Sequence, residues 1–144
     1  MKIVRSLYGL AIVTLTGFLV LGCSKDDDSA GVLEAMPTEV TFTALNTCDI
    51  GGCCLATEFD FTISYESSNG SKINKIMVSI IWSDGDTDTF ETDDFNDSGT
   101  VITYDWCYRF SDSEWVDVTH VLVGKDGSKS NSSLVRVDKP EGGN

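Results

Sequence analysis

Leu55-Ala56-Thr57-Glu58-Phe59-Asp60-Phe61-Thr62-Ile63-Ser64-Tyr65 is the stretch that decides the fold class. Leu55, Phe59, Phe61, Ile63 and Tyr65 share one phase at period two, with Glu58, Asp60, Thr62 and Ser64 opposite. Successive side chains of a strand point to opposite faces, so a β-strand with one dry and one wet side is expected here. Ser67-Ser68-Asn69-Gly70-Ser71 then supplies a turn, because Asn and Gly accept the positive φ that tight hairpins demand.

The same alternation continues on both sides of this strand. Val40, Phe42 and Ala44 share one phase of a strand before it. Ile76, Val78, Ile80 and Trp82 form the next inward phase, and Met77 and Ile81 on the other side mark that strand as central. A turn at 84–87, a short edge strand at 89–92 and a polar loop at 93–99 follow. Ile102, Tyr104, Trp106, Tyr108 and Phe110 again recur at period two. A last hairpin runs over 115–123, turns at Lys125-Asp126-Gly127-Ser128 and returns through 134–137. No amphipathic helix is legible from Ala30 onward, and residues 140–144 are expected to fray.

About seven short strands over 35–139 predict an all-β domain, an antiparallel β-sandwich with Greek-key links whose inward phases meet as the core. With Trp82 on the third strand and Asp126-Gly127 at the final hairpin, the chain resembles the immunoglobulin-like and fibronectin-III-like modules of bacterial surface proteins. It departs from the antibody pattern. Cys107 lies one strand too early, and no tyrosine stands two residues before a late-strand cysteine, so a central inter-sheet disulfide is not implied. A small β-barrel is the rival architecture.

The first residues speak of location. Lys2 and Arg5 precede an uncharged apolar run at 7–21, which ends at Val20-Leu21-Gly22-Cys23 before Ser24-Lys25-Asp26-Asp27-Asp28. Charge, apolar core and small residue form the order of a secretory signal. The pattern resembles the bacterial lipoprotein signal, with Val20, Leu21 and Gly22 as lipobox and Cys23 as the residue that takes a diacylglyceryl group; Leu21 is bulkier than usual there. Buried acyl methylenes contribute about 0.8 kcal/mol each, so several chains hold a protein at a bilayer. The rival is an uncleaved anchor over 6–24, close to the roughly 20 residues that cross a bilayer. Gly9, Thr14, Thr16 and Gly17 make it a poor span. The Lys25 to Asp28 run resembles the export tag of surface lipoproteins in Bacteroidetes-type bacteria, and Asp28-Ser29-Ala30 resembles their O-glycosylation acceptor, with Ser29 modified. The expected organisation is a signal peptide at 1–22, a lipidated acidic tether at 23–34, the sandwich at 35–139 and a flexible tail at 140–144. The expected location is the outer membrane, on the cell surface.

The chain has 10 Lys and Arg against 23 Asp and Glu, a net charge of −13. Cleavage after Gly22 would remove Lys2 and Arg5 but no acid, leaving −15. Such a surface repels phosphate backbones, which argues against nucleic acid as a partner and for cations or basic proteins. Of five cysteines, Cys23 is set aside for lipid; Cys48, Cys53, Cys54 and Cys107 are an even set and are expected as two disulfides. A bridge between neighbours Cys53 and Cys54 is strained, so Cys48 is expected to join one of them and Cys107 the other. In an immunoglobulin-like order the second and fifth strands are neighbours, which implies Cys54 with Cys107 and Cys48 with Cys53. A zinc site of these thiols with His120 is the rival, without the paired Cys-x-x-Cys spacing of structural zinc modules.

Catalytic signatures are sparse. His120 is the only histidine, in strand phase with Val118 and Leu122, and is expected as a half-buried strand residue. No Gly-x-Ser-x-Gly elbow or phosphate loop is present, so an enzyme is not expected. Asp84, Asp86 and Asp88 alternate as Ca2+ ligands do, although Thr89 and Phe95 stand where an EF-hand needs Gly and Glu. Ca2+ is the one candidate cofactor. Trp106 and Tyr108 are expected in the core, which leaves Trp115 as the candidate for stacking on a sugar ring. The expected function is a non-catalytic lipid-anchored surface module that binds or displays, contacting an extracellular protein or glycan. A structural component of an envelope complex and a small enzyme accessory with a Ca2+ loop are the alternatives.

Overall fold

The computed structural model describes residues 31–52 and 54–144. The expectations at 1–22, Cys23, Ser29 and Cys53 lie outside the described residues. Nine strands and no helix are found among those described: β1 (Leu33–Ala35), β2 (Glu39–Asp49), β3 (Leu55–Ser67), β4 (Ile73–Trp82), β5 (Thr87–Thr92), β6 (Asn96–Asp97), β7 (Val101–Tyr108), β8 (Trp115–Gly124) and β9 (Ser133–Asp138). One sheet runs β1-β3-β7-β6, with β2 also on β3, and the other runs β5-β4-β8-β9. Every pairing is antiparallel. This is the strand order of an immunoglobulin-like sandwich with a C′ strand.

The core follows from the alternation. Phe59, Phe61, Ile63 and Tyr65 of β3 are buried, as are Ile102, Tyr104 and Tyr108 of β7. They meet Ile76, Val78 and Ile80 of β4 and Val116, Val118 and Leu122 of β8. Fully burying each such side chain stabilises by about 1.5–3 kcal/mol. Phe61 stacks on Tyr104 at 5.1 Å and meets Tyr108 edge-on at 5.8 Å, which fixes β3 against β7 at mid-strand. The turns at Gly70 and Gly127 both have positive φ, as their Asn-Gly and Asp-Gly sequences require. The two turns are also tied together, because the Asp126 carboxylate accepts from the Ser128 hydroxyl and from Asn69 Nδ2. Those two bonds, the Ser128 hydroxyl first, hold the Asp126 carboxyl well below the usual carboxylate range.

The chain enters the sandwich earlier than expected. Leu33 and Ala35, placed by sequence on either side of the boundary between tether and domain, are both buried in β1. β1 and β2 follow one another along the same edge of β3. Pro37 separates them, since it has no N–H to give the ladder. The other end of the chain departs from expectation too. Asn46 Nδ2 donates to the Gly142 carbonyl at 3.2 Å and the Asn144 amide donates to Thr57 Oγ1 at 3.1 Å, so the tail at 140–144 docks on the β2–β3 hairpin.

That hairpin overturns the cysteine pairing. β2 carries irregularities between Phe42 and Ala44 and between Ala44 and Cys48, where Ala44 faces Glu58 and Cys48 faces Ala56. Asn46 within this stretch has φ 51°. The extra residues bend β2, as bulges do. The result is a disulfide between Cys48 and Cys107, Cα to Cα 6.1 Å, rather than Cys54 with Cys107 and Cys48 with Cys53. β3 lies between β2 and β7, and flat next-but-one strands stand about 9.6 Å apart. The bulged end of β2 therefore leans over the outer face of β3 to reach β7. The same bend corrects the expected phase of Leu55. Ala56 and Thr57 are both buried, alternation breaks there, and Leu55 is 50% exposed.

This bridge closes a sequence separation of 59 residues. Replacing both cysteines by serine is expected to destabilise the domain by about 2–4 kcal/mol, mostly by freeing the unfolded chain. Urea unfolding of the C48S/C107S variant measures this, and non-reducing peptide mapping that linked Cys54 to Cys107 would contradict the pairing.

Candidate functional site

His120 is where a base would have to act, and β8 places it at the centre of the sandwich, fully buried. Its ring lies 5.5 Å from Phe61 and 5.7 Å from Tyr104. Nε2 meets the Tyr104 hydroxyl and Nδ1 lies 3.2 Å from Thr38 Oγ1. Thr38 Oγ1 is 2.8 Å from Ser133 Oγ, which also accepts the Thr38 amide at 2.7 Å. Burial pushes the imidazole down to about 4, opposed in part by the Ser133 backbone. Burial also raises the Tyr104 phenol far above its usual range, so its hydroxyl keeps a proton to donate. The assignment that gives that proton an acceptor is a neutral ring with hydrogen on Nδ1, donating to Thr38. No carboxylate is among the ring's hydrogen-bond partners, and an enclosed neutral imidazole offers no base to a substrate.

In the acidic turn between β4 and β5, Asp84 and Asp88 accept from local backbone amides. Asp84 Oδ1 accepts the Asp86 amide at 3.0 Å, and Asp88 Oδ1 accepts the Thr89 amide at 2.7 Å. The Asp86 amide holds the Asp84 carboxyl below its ordinary value. Asp84, Asp86 and Asp88 line a hollow that also contains Arg109. Among the described residues no group of three His, Cys, Asp or Glu is arranged to hold a metal ion. The expected Ca2+ ligands thus share a turn without converging, and one oxygen each of Asp84 and Asp88 is turned to a local backbone amide.

Trp115 is also engaged. The Arg136 guanidinium sits 3.6 Å from its ring centroid and forks onto Asp117 with two contacts of 2.7 Å. Arg136 holds the Asp117 carboxyl below its usual range. One face of the expected sugar platform is therefore covered by a cation.

The surface that the sequence reading did not single out is the outer face of β2, β3 and β7. Asp60 and Asp105 are directly opposed there, with Thr62 opposite Thr103 beside them. A hollow of about 380 Å³ lies over Thr41, Asp60, Thr62 and Thr103. Next to it, a hollow of about 290 Å³ is lined by the Cys48–Cys107 bridge, Asp49, Ile50, Asp94 and Trp106. Trp106 packs against the core as expected, though only partly buried at its margin, and its ring stacks on Phe90 at 4.3 Å. The wet phase of β3 was legible as Glu58, Asp60, Thr62 and Ser64. What it faces across β7 depends on register, which no local pattern in the sequence carries.

No protein-family model matches the chain, and no curated protein matches it. Among solved structures it is similar to one described as the X-ray structure of Northeast Structural Genomics Consortium target SoR45. The identity is 13%, the TM-score is 0.46, and the match covers 78% of this chain and 89% of that one.

The neutral ring makes a pH prediction. In the unfolded chain the imidazole takes a proton near pH 6.5, whereas in the fold it resists until about pH 4. The unfolded state then binds more protons between those values, so stability is full above pH 6.5 and falls as pH drops toward 4. The expected loss is up to ~3 kcal/mol. Urea unfolding at pH 7.5 and at pH 4.5 measures it, and equal stabilities would mean that the ring is solvated in the fold.

Proposed function

We propose that the chain is a non-catalytic module held at the outer membrane, on the cell surface, by lipid on Cys23, where it binds or displays toward an extracellular protein or glycan. The observation that carries this reading is Gly22-Cys23 placed directly behind an uncharged apolar run and ahead of Lys25-Asp26-Asp27-Asp28. Cleavage between Gly22 and Cys23 leaves the cysteine as the first residue of the mature chain.

The position of β1 supports a display role. The Val32 amide donates to Ser68 Oγ, and Leu33 pairs with Ser67, so the chain enters beside the β3–β4 turn. The β8–β9 turn is tied to the same end through Asn69 and Asp126. The β2–β3 hairpin, the β4–β5 turn and the chain end gather at the opposite pole. A domain tethered by residues just before β1 would turn that opposite pole away from the membrane. Phe42, Leu45, Ile50 and Leu55, each more than 40% exposed, belong to the β2–β3 hairpin there and favour a protein contact as the second reading, a component of an envelope complex.

Cys23→Ala is the direct test. In the native host, the parent chain is expected to partition with detergent and to carry acyl mass on Cys23, and the variant is expected to keep its signal peptide and lose the acyl mass. An intact Met1 or an unmodified Cys23 thiol in the parent chain would overturn the proposal.

A further inference from the structure

Lys72, Lys125 and Lys129 are all exposed, and they gather at the pole where the chain enters the sandwich. The Lys125 amide donates to the Lys72 carbonyl at 2.9 Å, so the β3–β4 and β8–β9 turns lie backbone to backbone. Lys129 belongs to the second of these turns, where it bridges to Val123. In a chain with 23 acids, no carboxylate among the described residues forms an ion pair with any of the three. Asp126, which stands among them, is occupied by the Ser128 hydroxyl and the Asn69 amide.

The chain arrives at this same pole. The Val32 amide donates to Ser68 Oγ at 2.8 Å. Gly31 lies so close to Asn69 that any side chain at 31 would run into that amide, and Asn69 in turn donates to Asp126 at 2.7 Å. The residues ahead of Gly31 therefore start beside both turns. Asp26-Asp27-Asp28 stands there, with Asp28 three residues before Gly31 and Asp26 five. An extended chain covers at most about 3.5 Å per residue, which keeps all three within about 10–17 Å of Gly31. One exposed ion pair holds little. Three acids on one short segment act together, because the first contact keeps the next acid at high local concentration beside its lysine. A phosphate-bearing membrane is the weaker occupant, since the three carboxylates of the tether would share the gap between these lysines and the bilayer.

We propose that the β3–β4 and β8–β9 turns seat the chain's own acidic tether, with the carboxylates of Asp26, Asp27 and Asp28 on Lys72, Lys125 and Lys129. The tether is then strapped to the domain as far as Asp26, three residues from Cys23, where otherwise it would leave at Gly31, eight residues away. This goes beyond the binding-module reading and does not need lipid at Cys23.

The full chain, purified in zwitterionic detergent, is tested by nitrogen-15 NMR relaxation, which reads the backbone order of residues 26–28. Rigid backbone has an order parameter near about 0.85, and flexible backbone falls below about 0.6. At low salt the amides of Asp26, Asp27 and Asp28 are expected above about 0.6, and at about 1 M salt, where the screening length is about 3 Å, below it. The K72Q/K125Q/K129Q variant is expected to fall below that value already at low salt, with β4 and β8 as ordered as in the parent. R109Q removes a cation beside the β4–β5 turn, at the other pole, and is expected to leave the three amides unchanged. A disordered tether in the parent at low salt, or equal order in the parent and the triple variant, would overturn the proposal. So would bicelles containing phosphatidylglycerol that shift the amides of 68–72 and 124–129 while releasing residues 26–28, which would give the lysines to the membrane. Acyl mass on Cys23, measured on the same sample, bears on the anchor alone, so the two readings fail separately.

Discussion

The Tyr104 hydroxyl, the His120 ring and the Thr38 hydroxyl form a hydrogen-bonded chain across the sandwich, from β7 through β8 to the link between β1 and β2, with Ser133 of β9 at its end. Buried polar groups are costly unless each finds a partner, and a satisfied network therefore fixes the arrangement that satisfies it. A slip of β8 by one residue would turn His120 to the solvent and strand the other hydroxyls. Asn131 reinforces the same corner by bonding both the amide and the carbonyl of Ala35, at 2.8 Å and 3.0 Å. The position where an antibody domain would pin its sheets with a disulfide is thus held by an imidazole against Phe61.

The one histidine is sealed inside the sandwich by this arrangement. The disulfide matters here as much as for stability, because it draws the bulged end of β2 over β3 and so builds the wall of the hollow beside Trp106. The second sheet spends its exposed cations internally, Lys75 on Glu91 and Arg136 on Asp117 and Trp115. Among the described residues no ion pair reaches the acids of the first sheet.

Much of the fold was legible because its strands alternate cleanly. Phe59 to Tyr65, Ile76 to Ile80 and Val116 to Leu122 each carry the inward phase they were read to carry, and β5 is the edge strand that 89–92 implied. The failures cluster at the β2–β3 hairpin. A bulge adds residues without leaving a local signature, so Leu55 was assigned to the core and Cys48 was kept from Cys107. The chain end at 140–144 was read as frayed from its terminal position, yet it is held through Asn46 and Thr57. The opposed pair Asp60 and Asp105 needed a cross-strand register, and sequence supplies only the phase of each strand.

The state of His120 tests this account most directly. Nitrogen-15 NMR of the folded protein, labelled at histidine, reports the protonation of both ring nitrogens as pH is lowered from 8 to 5. A ring that stays neutral throughout, with its hydrogen on Nδ1, is the result that the buried chain from Tyr104 to Ser133 requires. Titration with a midpoint near 6.5, or a hydrogen found on Nε2, would contradict it.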